Sequence, residues 1–354
     1  MRGVLIFLVK FMCLVYLVTV VPRAISFYSS FPTKSCDQRF RSLLGVENLA
    51  HSRQYGALKN IRLGMIGDRT GVDLLRKNGF LIKKFFQHQR VVKLTDKILY
   101  NHCKKLDALL IDIPNSGISS DPMISVLRRL VQFSAQYDKK LIILDRPNPL
   151  GAVVEGPGEI PWRHGLTIGE IAYHINRSFL EKPARLEVVP LRRWRRGRLT
   201  EQNCVLHPLH CLRATKGKLS LWETRYLKRL CWKLGLHCFD CKNKDVLVNG
   251  VRLRVKSDVN SFSLFNSLLT IARFLRNRKH TALSLSRKFD KAVGSSGVRL
   301  FLENKISFDA LKKEIEQSLD LFYDKSKLCF LYKPFPIVVR PELIRGSDSK
   351  SKAT

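Results

Sequence analysis

From Ile61 onward the chain alternates short runs rich in β-branched residues with longer amphipathic stretches. Ile61 to Ile66 and Leu81 to Phe86 have the length and composition of strands, and Gly71 to Gly79 between them is read as a helix. Ala108 to Ile113 and Leu141 to Leu144 are largely apolar, the pattern of strands covered on both faces. Between those two, Met123, Val126, Leu127, Leu130, Val131 and Phe133 recur at helical spacing. This βαβαβ series predicts an α/β N-terminal domain, a mostly parallel sheet flanked by helices. In such sheets ligands bind beyond the carboxyl ends of the strands.

After Leu144 the pattern lapses into a loop, Arg146-Pro147-Asn148-Pro149-Leu150-Gly151, whose two prolines fix φ and remove amide donors. Thr167 and Glu170 then form a capping box at the start of a helix, and Arg185 to Val189 reads as another strand. Farther on, helices are expected at Leu219 to Leu234, Phe262 to Arg276 and Leu311 to Phe322, and a strand at Val298 to Leu302. A hairpin turning at Asn249-Gly250 is expected over Val246 to Leu253. Together these describe a smaller α+β C-terminal domain. The expected boundaries are 40–198 for the N-terminal domain, 199–342 for the C-terminal one, and a polar, frayed tail over 343–354.

Composition narrows the setting. With 354 residues and 45% hydrophobic positions the chain can bury a core, which excludes wholesale disorder. The formal charge of +34 points to an anionic partner or surface without saying which. At the N-terminus, Arg2 precedes an apolar run from Val4 to Val21 and the small residues Ala24-Ile25-Ser26. Residues 1–26 are therefore expected to be a cleaved secretory signal or a retained membrane anchor, with the folded part exported to the periplasm or cell envelope. Export argues against nucleic acid as the partner, including for the basic run Leu191 to Arg198 around Trp194, which is read instead as a linker or a glycan-facing patch. Outside the signal, eight cysteines permit disulfides, and Cys204, His207, His210, Cys211, His237, Cys238 and Cys241 offer ligand types that zinc accepts at no standard finger spacing. No metal or cofactor is assigned: P-loop, dinucleotide fingerprint, Gly-x-Ser-x-Gly elbow and His-Glu-x-x-His are all missing from the sequence.

The densest chemistry lies between Asp145 and Glu170, where Asp145, Arg146, Asn148, Glu155, Arg163, His164 and Glu170 gather at an expected strand end and helix start. Cleaving a glycosidic bond requires a proton donor and a second carboxylate, so acids converging in one cleft are the minimum equipment. Asp145 and Glu155 qualify by position, whereas Glu170 is accounted for by its cap. His164 would orient a carboxylate, bind a sugar hydroxyl or serve as a bonded loop residue.

Three stretches carry a family resemblance. LDRPNPLGAVVEGP from Leu144 to Pro157, continued by IPWRHGLTIGE from Ile160 to Glu170, resembles the signature region of the NamZ-type exo-β-N-acetylmuramidases, bacterial enzymes that remove terminal N-acetylmuramic acid from peptidoglycan fragments. Gly64 to Asp73 looks like the first strand and turn of that family, with Asp68 where Asn is usual, and Asp107 to Gly117 looks like its third strand. The match is good over roughly residues 61–190 and loose over Val248 to Arg273. It implies a Rossmann-like N-terminal domain, a smaller C-terminal domain and a sugar cleft. It also implies peptidoglycan-derived amino sugars or muropeptides as ligands, with Asp68, His88, Arg146, Asn148, Arg163, His164 and Glu170 around them.

Departures from the family bear on activity. Its presumed catalytic Glu aligns with Gln87, an amide that neither gives nor takes a proton at neutral pH. Pro114-Asn115 stands for the usual Gln-Asp, Ile118-Ser119-Ser120 replaces aromatic residues, and the Ser-Pro-Asn and Glu-Gly-Arg-Gly-Thr elements of the C-terminal half are missing. Two expectations follow. One is a hydrolase of peptidoglycan-derived sugars whose catalytic work has moved to Asp112, Asp145 or Glu155. The other is a weakened relative that binds glycan or a partner protein through the same cleft, with the Asn148 turn opening onto the pocket.

Overall fold

The computed structural model describes residues 43–196, 221–234, 236–243, 246–255, 263–276 and 285–342. The expected signal or anchor, residues 1–26, lies outside them, as do Cys204 to Cys211 and the tail over 343–354. No helix among the described residues is long and apolar enough to cross a membrane.

The chain opens with α1 (Gly45–His51) and a 3-10 stretch (Arg53–Asn60), then β1 (Leu63–Gly67), α2 (Arg69–Lys77), β2 (Ile82–Gln87), α3 (His88–Val91) and α4 (Asp96–Cys103). It continues through β3 (Ala108–Ile111), α5 (Pro122–Tyr137), β4 (Lys140–Leu144), β5 (Val153–Glu155), β6 (Arg163–His164), α6 (Ile168–Ser178) and β7 (Leu186–Val189). Beyond these come α7 (Leu221–Lys233), β8 (Leu236–Asn243), β9 (Val246–Val255), α8 (Leu264–Arg276), α9 (Arg287–Val293), α10 (Ser296–Leu302), α11 (Phe308–Ser326) and β10 (Ile337–Val338).

Contacts divide the chain into two compact units, and neither is continuous in sequence. The first runs to Ile113 and takes in Phe133–Leu144 and Ala184–Arg193. It holds a five-stranded sheet in the order β2-β1-β3-β4-β7 with every pairing parallel, the α/β architecture expected from the strand pattern. β1 and β3 are buried along their whole length because their side chains meet cover on both faces. Leu63, Met65, Val72, Leu75, Leu110, Ile142 and Leu144 form one continuous apolar core with Val46 and Leu49 of α1. Burying each such side chain contributes roughly 1.5–3 kcal/mol. β2 lies at the edge and exposes Lys83 and Lys84, charges that discourage pairing with another chain.

The second unit contains Pro114–Gln132, Asp145–Pro183 and the chain from Trp194 on. The signature stretch after β4 therefore groups with the C-terminal part, a division different from the linear one at residue 198. The reason is visible in its three-stranded sheet, where β5 pairs antiparallel with β6 and parallel with β10, drawing the far end of the chain onto the signature segment. The capping box at α6 forms as read: Thr167 accepts from the Glu170 amide, and Glu170 Oε2 accepts from the Thr167 amide at 3.0 Å.

Two local expectations are corrected. Val298 to Leu302 is helical, not a strand: Ser295 caps α10 by accepting from the Gly297 amide, and Val298, Phe301 and Leu302 bury one helical face. A five-residue run, apolar but for Arg299, fits either period, and the cap decides it. Asn249-Gly250 makes no turn, since β9 runs straight through and pairs with β8, with Gly250 opposite Cys241. Asn243 is the register partner of Val246, because the preceding Cys-containing segment supplies the partner strand.

Candidate functional site

At the carboxyl edge of the parallel sheet, β1 ends in Gly67 and β2 in Gln87, and these two residues are register partners. The residue after each therefore opens on the same edge. Asp68 follows β1 and begins α2 as its N-cap residue, yet its side chain makes no capping hydrogen bond. Its carboxylate lies instead 3.3 Å from Nδ1 of His88, the first residue of α3. The His88 side chain is 5% exposed, the Asp68 side chain 32%. Neither ring nitrogen of His88 makes a hydrogen bond, so the imidazole is held by packing and by the nearby charge. Gln87 itself is exposed.

Asp112 follows β3 in the same unit and is fully buried, its amide donating to Ile66. Its Oδ2 would lie 2.9 Å from a Cβ on Gly71, and its carbonyl oxygen 2.9 Å from one on Gly67. Both glycines thus make room for it. Gly71 is in the first turn of α2, where unpaired amides favour a negative charge.

The signature residues of the second unit are built differently. Asp145 is buried, accepting from the Tyr332 hydroxyl at 2.6 Å, the Gly169 amide at 2.7 Å and the Arg146 amide at 2.8 Å. Burial pushes its carboxyl up to about 7 against those bonds, helped by the neighbouring Glu170 charge. Glu155 is buried too, paired with Arg163 at 2.7 Å and accepting from the Ser263 hydroxyl and the Leu264 amide. Arg163 also donates to the Leu150 carbonyl through Nε and Nη2. Glu170 pairs with buried Arg196 and accepts from the Leu331 amide at 2.8 Å, while Arg196 also donates to the Pro334 carbonyl.

Asn148, whose turn is expected to open onto a pocket, is itself buried, while Arg146, Pro147 and Pro149 around it are half-buried. Its Oδ1 accepts from the Leu150 amide and its Nδ2 donates to the Leu166 carbonyl, which also accepts from Asn115. His164 Nδ1 accepts from the Leu166 amide at 3.1 Å, and burial followed by the Arg196 charge lowers its pKa to about 3, so the ring is neutral. Gly117, at φ +81°, belongs to this bundle, since a Cβ there would stand 2.5 Å from Asn148 Oδ1. Only Arg146 among the named signature residues keeps partial exposure. The described structure therefore brings together two clusters: Asp68, Gln87, His88 and Asp112 at the sheet edge, and a dry polar framework through Asp145, Asn148, Glu155, Arg163, His164 and Glu170.

Four members of that framework escaped the sequence reading. Asn115 had registered only as a lost carboxylate. Arg196 lies inside the run expected to be a linker or a glycan-facing patch, yet it is buried, and Trp194 two residues earlier packs edge-on against Tyr332 at 4.9 Å. Ser263 and Tyr332 reach Glu155 and Asp145 from 108 and 187 residues away, with no local signal to announce them. Among the described residues no group of three His, Cys, Asp or Glu is arranged to hold a metal ion, and Cys103 and Cys329 are buried free thiols.

A parallel α/β sheet with a polar carboxyl edge, followed by a proline-rich loop and an appended helical part, defines the class. The chain belongs to the NamZ family: the model for the N-terminal part of exo-β-N-acetylmuramidase NamZ matches residues 89–208 and that for its C-terminal part residues 235–332. It is 23% identical to the peptidoglycan β-N-acetylmuramidase NamZ of Bacillus subtilis (strain 168), over 75% of this chain and 76% of that protein. Two crystal structures of DUF1343 family proteins from Bacteroides fragilis NCTC 9343 share the fold. One is 19% identical with a TM-score of 0.64, covering 83% of this chain and 100% of its own; the other is 20% identical with a TM-score of 0.52, covering 82% and 99%.

Proposed function

We propose that this protein is a slow exo-acting glycoside hydrolase of the N-acetylmuramidase type that holds the N-acetylmuramic acid end of peptidoglycan fragments at the carboxyl edge of its sheet. The observation that carries this reading is the pairing of a water-accessible carboxylate, Asp68, with the amide Gln87 and the imidazole His88 where strands β1 and β2 end. Slowness follows from Gln87, since general acid-base catalysis contributes about 10²–10⁴-fold and an amide supplies none of it. In this reading the buried acids Asp145, Glu155 and Glu170 hold the loop's shape and do not touch sugar. Export to the periplasm or cell envelope through residues 1–26, as signal or anchor, belongs to the same proposal.

A second reading, a non-hydrolysing member that binds glycan or a partner protein, is favoured by the same amide at position 87. Incubation with a chromogenic N-acetylmuramic acid glycoside, alongside calorimetric titration with N-acetylmuramic acid, separates the two. The first reading expects slow release and a gain of about 10²-fold in Gln87→Glu. Binding without release in either protein leaves the second. No binding at all removes both.

A further inference from the structure

We propose that Asp68 is the catalytic acid of this chain and His88 its positioning residue. The inference rests on the hydrolase reading and names the group that would perform its proton transfer. Three observations converge on Asp68. It has water access that Asp112, the other carboxylate directly following one of the first three strands, lacks. It occupies a helix N-cap, where Asp ordinarily bonds the amides of the first turn, but its side chain leaves that bond unmade. Its carboxylate lies 3.3 Å from Nδ1 of a buried imidazole that makes no hydrogen bond at either nitrogen. A buried histidine whose ring nitrogens make no hydrogen bond costs solvation, and the carboxylate beside Nδ1 is the group it is placed to orient.

The step balances with water alone. Asp68 in its acid form gives its proton to the glycosidic oxygen as the bond from C1 to that oxygen breaks, and the bonding electron pair leaves with the oxygen. Water adds to C1 and returns a proton to the Asp68 carboxylate. The His88 ring, with Nδ1 3.3 Å from the Asp68 carboxylate, holds that carboxylate in place between the two transfers. Gln87, with an amide on the same edge, is left to bind a sugar hydroxyl or carbonyl.

The test uses the full chain and 4-nitrophenyl β-N-acetylmuraminide, with kcat and KM measured from pH 4 to 9 for wild type, Asp68→Asn, Asp68→Glu and His88→Gln. Asp68→Asn is expected to lose about 10²-fold or more in kcat at unchanged KM, and to lose the alkaline limb of the rate profile. Asp68→Glu should restore part of the rate. His88→Gln should lower kcat about tenfold and displace that limb without changing KM, which a merely structural role would not do. Circular dichroism and N-acetylmuramic acid titration of each variant separate misfolding from lost chemistry. Wild-type rate and profile in folded Asp68→Asn overturn the assignment, and so does a wild type that binds the sugar but releases no nitrophenol. In that last case the family's glycan-binding reading survives; a wild type that neither binds nor hydrolyses removes both.

Discussion

Replacing Glu155 by Gln distinguishes a framework acid from a catalytic one. In the folded chain this carboxylate is 1% exposed and takes three donors: Arg163 Nη1 at 2.7 Å, the Ser263 hydroxyl and the Leu264 amide at 2.9 Å. Glutamine keeps the shape but offers one acceptor and turns an NH₂ toward groups that are themselves donors. The guanidinium of Arg163, 0% exposed, keeps its bonds to the Leu150 carbonyl but loses the Glu155 charge. Breaking a buried pair from one side costs about 3–5 kcal/mol, because the surviving charge stays desolvated. At roughly 1.4 °C per kcal/mol for a protein of this size, the melting temperature should fall by about 5 °C. Urea midpoints for Glu155→Gln, Arg163→Met and the double variant complete the cycle, in which the second change should cost less once the first is present. The Leu150 carbonyl still loses its donors, so the double variant does not return to wild type. An unchanged midpoint in Glu155→Gln, accompanied by lost turnover, would refute the argument and return this residue to the active site.

The remaining expectations concern packing and protons. Gly71→Ala sets a Cβ 2.9 Å from Asp112 Oδ2 and 2.9 Å from Met65 Cε, and should destabilise by about 1–3 kcal/mol in thermal melts, whereas half-buried Gly56, where a Cβ would meet nothing within 4 Å, should tolerate alanine. Asp145 titrates near 7 in the fold against 3.8 for an ordinary Asp, so its contribution is complete below pH 4 and lost as pH rises through 7. Asp145→Asn should therefore flatten that decline in urea midpoints and gain relative to wild type at pH 8. His174 moves oppositely: burial, then the Arg128 charge, lowers its pKa to about 4, so its contribution is present above 6.5 and lost as pH falls toward 4. His174→Gln should make the protein less sensitive to acid across that window, and an unchanged slope there would show that another group carries the loss. Thr167→Ala removes one half of the α6 capping box and should cost about 1 kcal/mol by the same assay.

Local pattern sufficed for everything decided by period and caps. Continuous apolar runs such as Ala108–Ile111 and Leu141–Leu144, alternating with helical stretches, fit strands covered on both sides and so imply the parallel sheet. Thr167 and Glu170 announced their helix because both partners of a cap lie within one turn. The same locality failed at Val298 to Leu302, too short to favour one period, and at Asn249-Gly250, where a good turn pair was overruled by an available partner strand.

Sequence also located the family and the positions that depart from it, since those are properties of residue order. Which acids meet water was another matter. Asp145, Glu155 and Glu170 look like catalytic candidates until Tyr332, Ser263, Leu264, Arg196 and Leu331 arrive from more than a hundred residues away, or from across a basic run, to cover and bond them. Sequence places Asp68 and His88 among the residues around the ligand, and the register of β1 against β2 is what sets the two beside each other. Burial and pairing depend on contacts distant in sequence, and the desolvation they impose is what separates an acid that holds a loop from one that can exchange a proton with substrate.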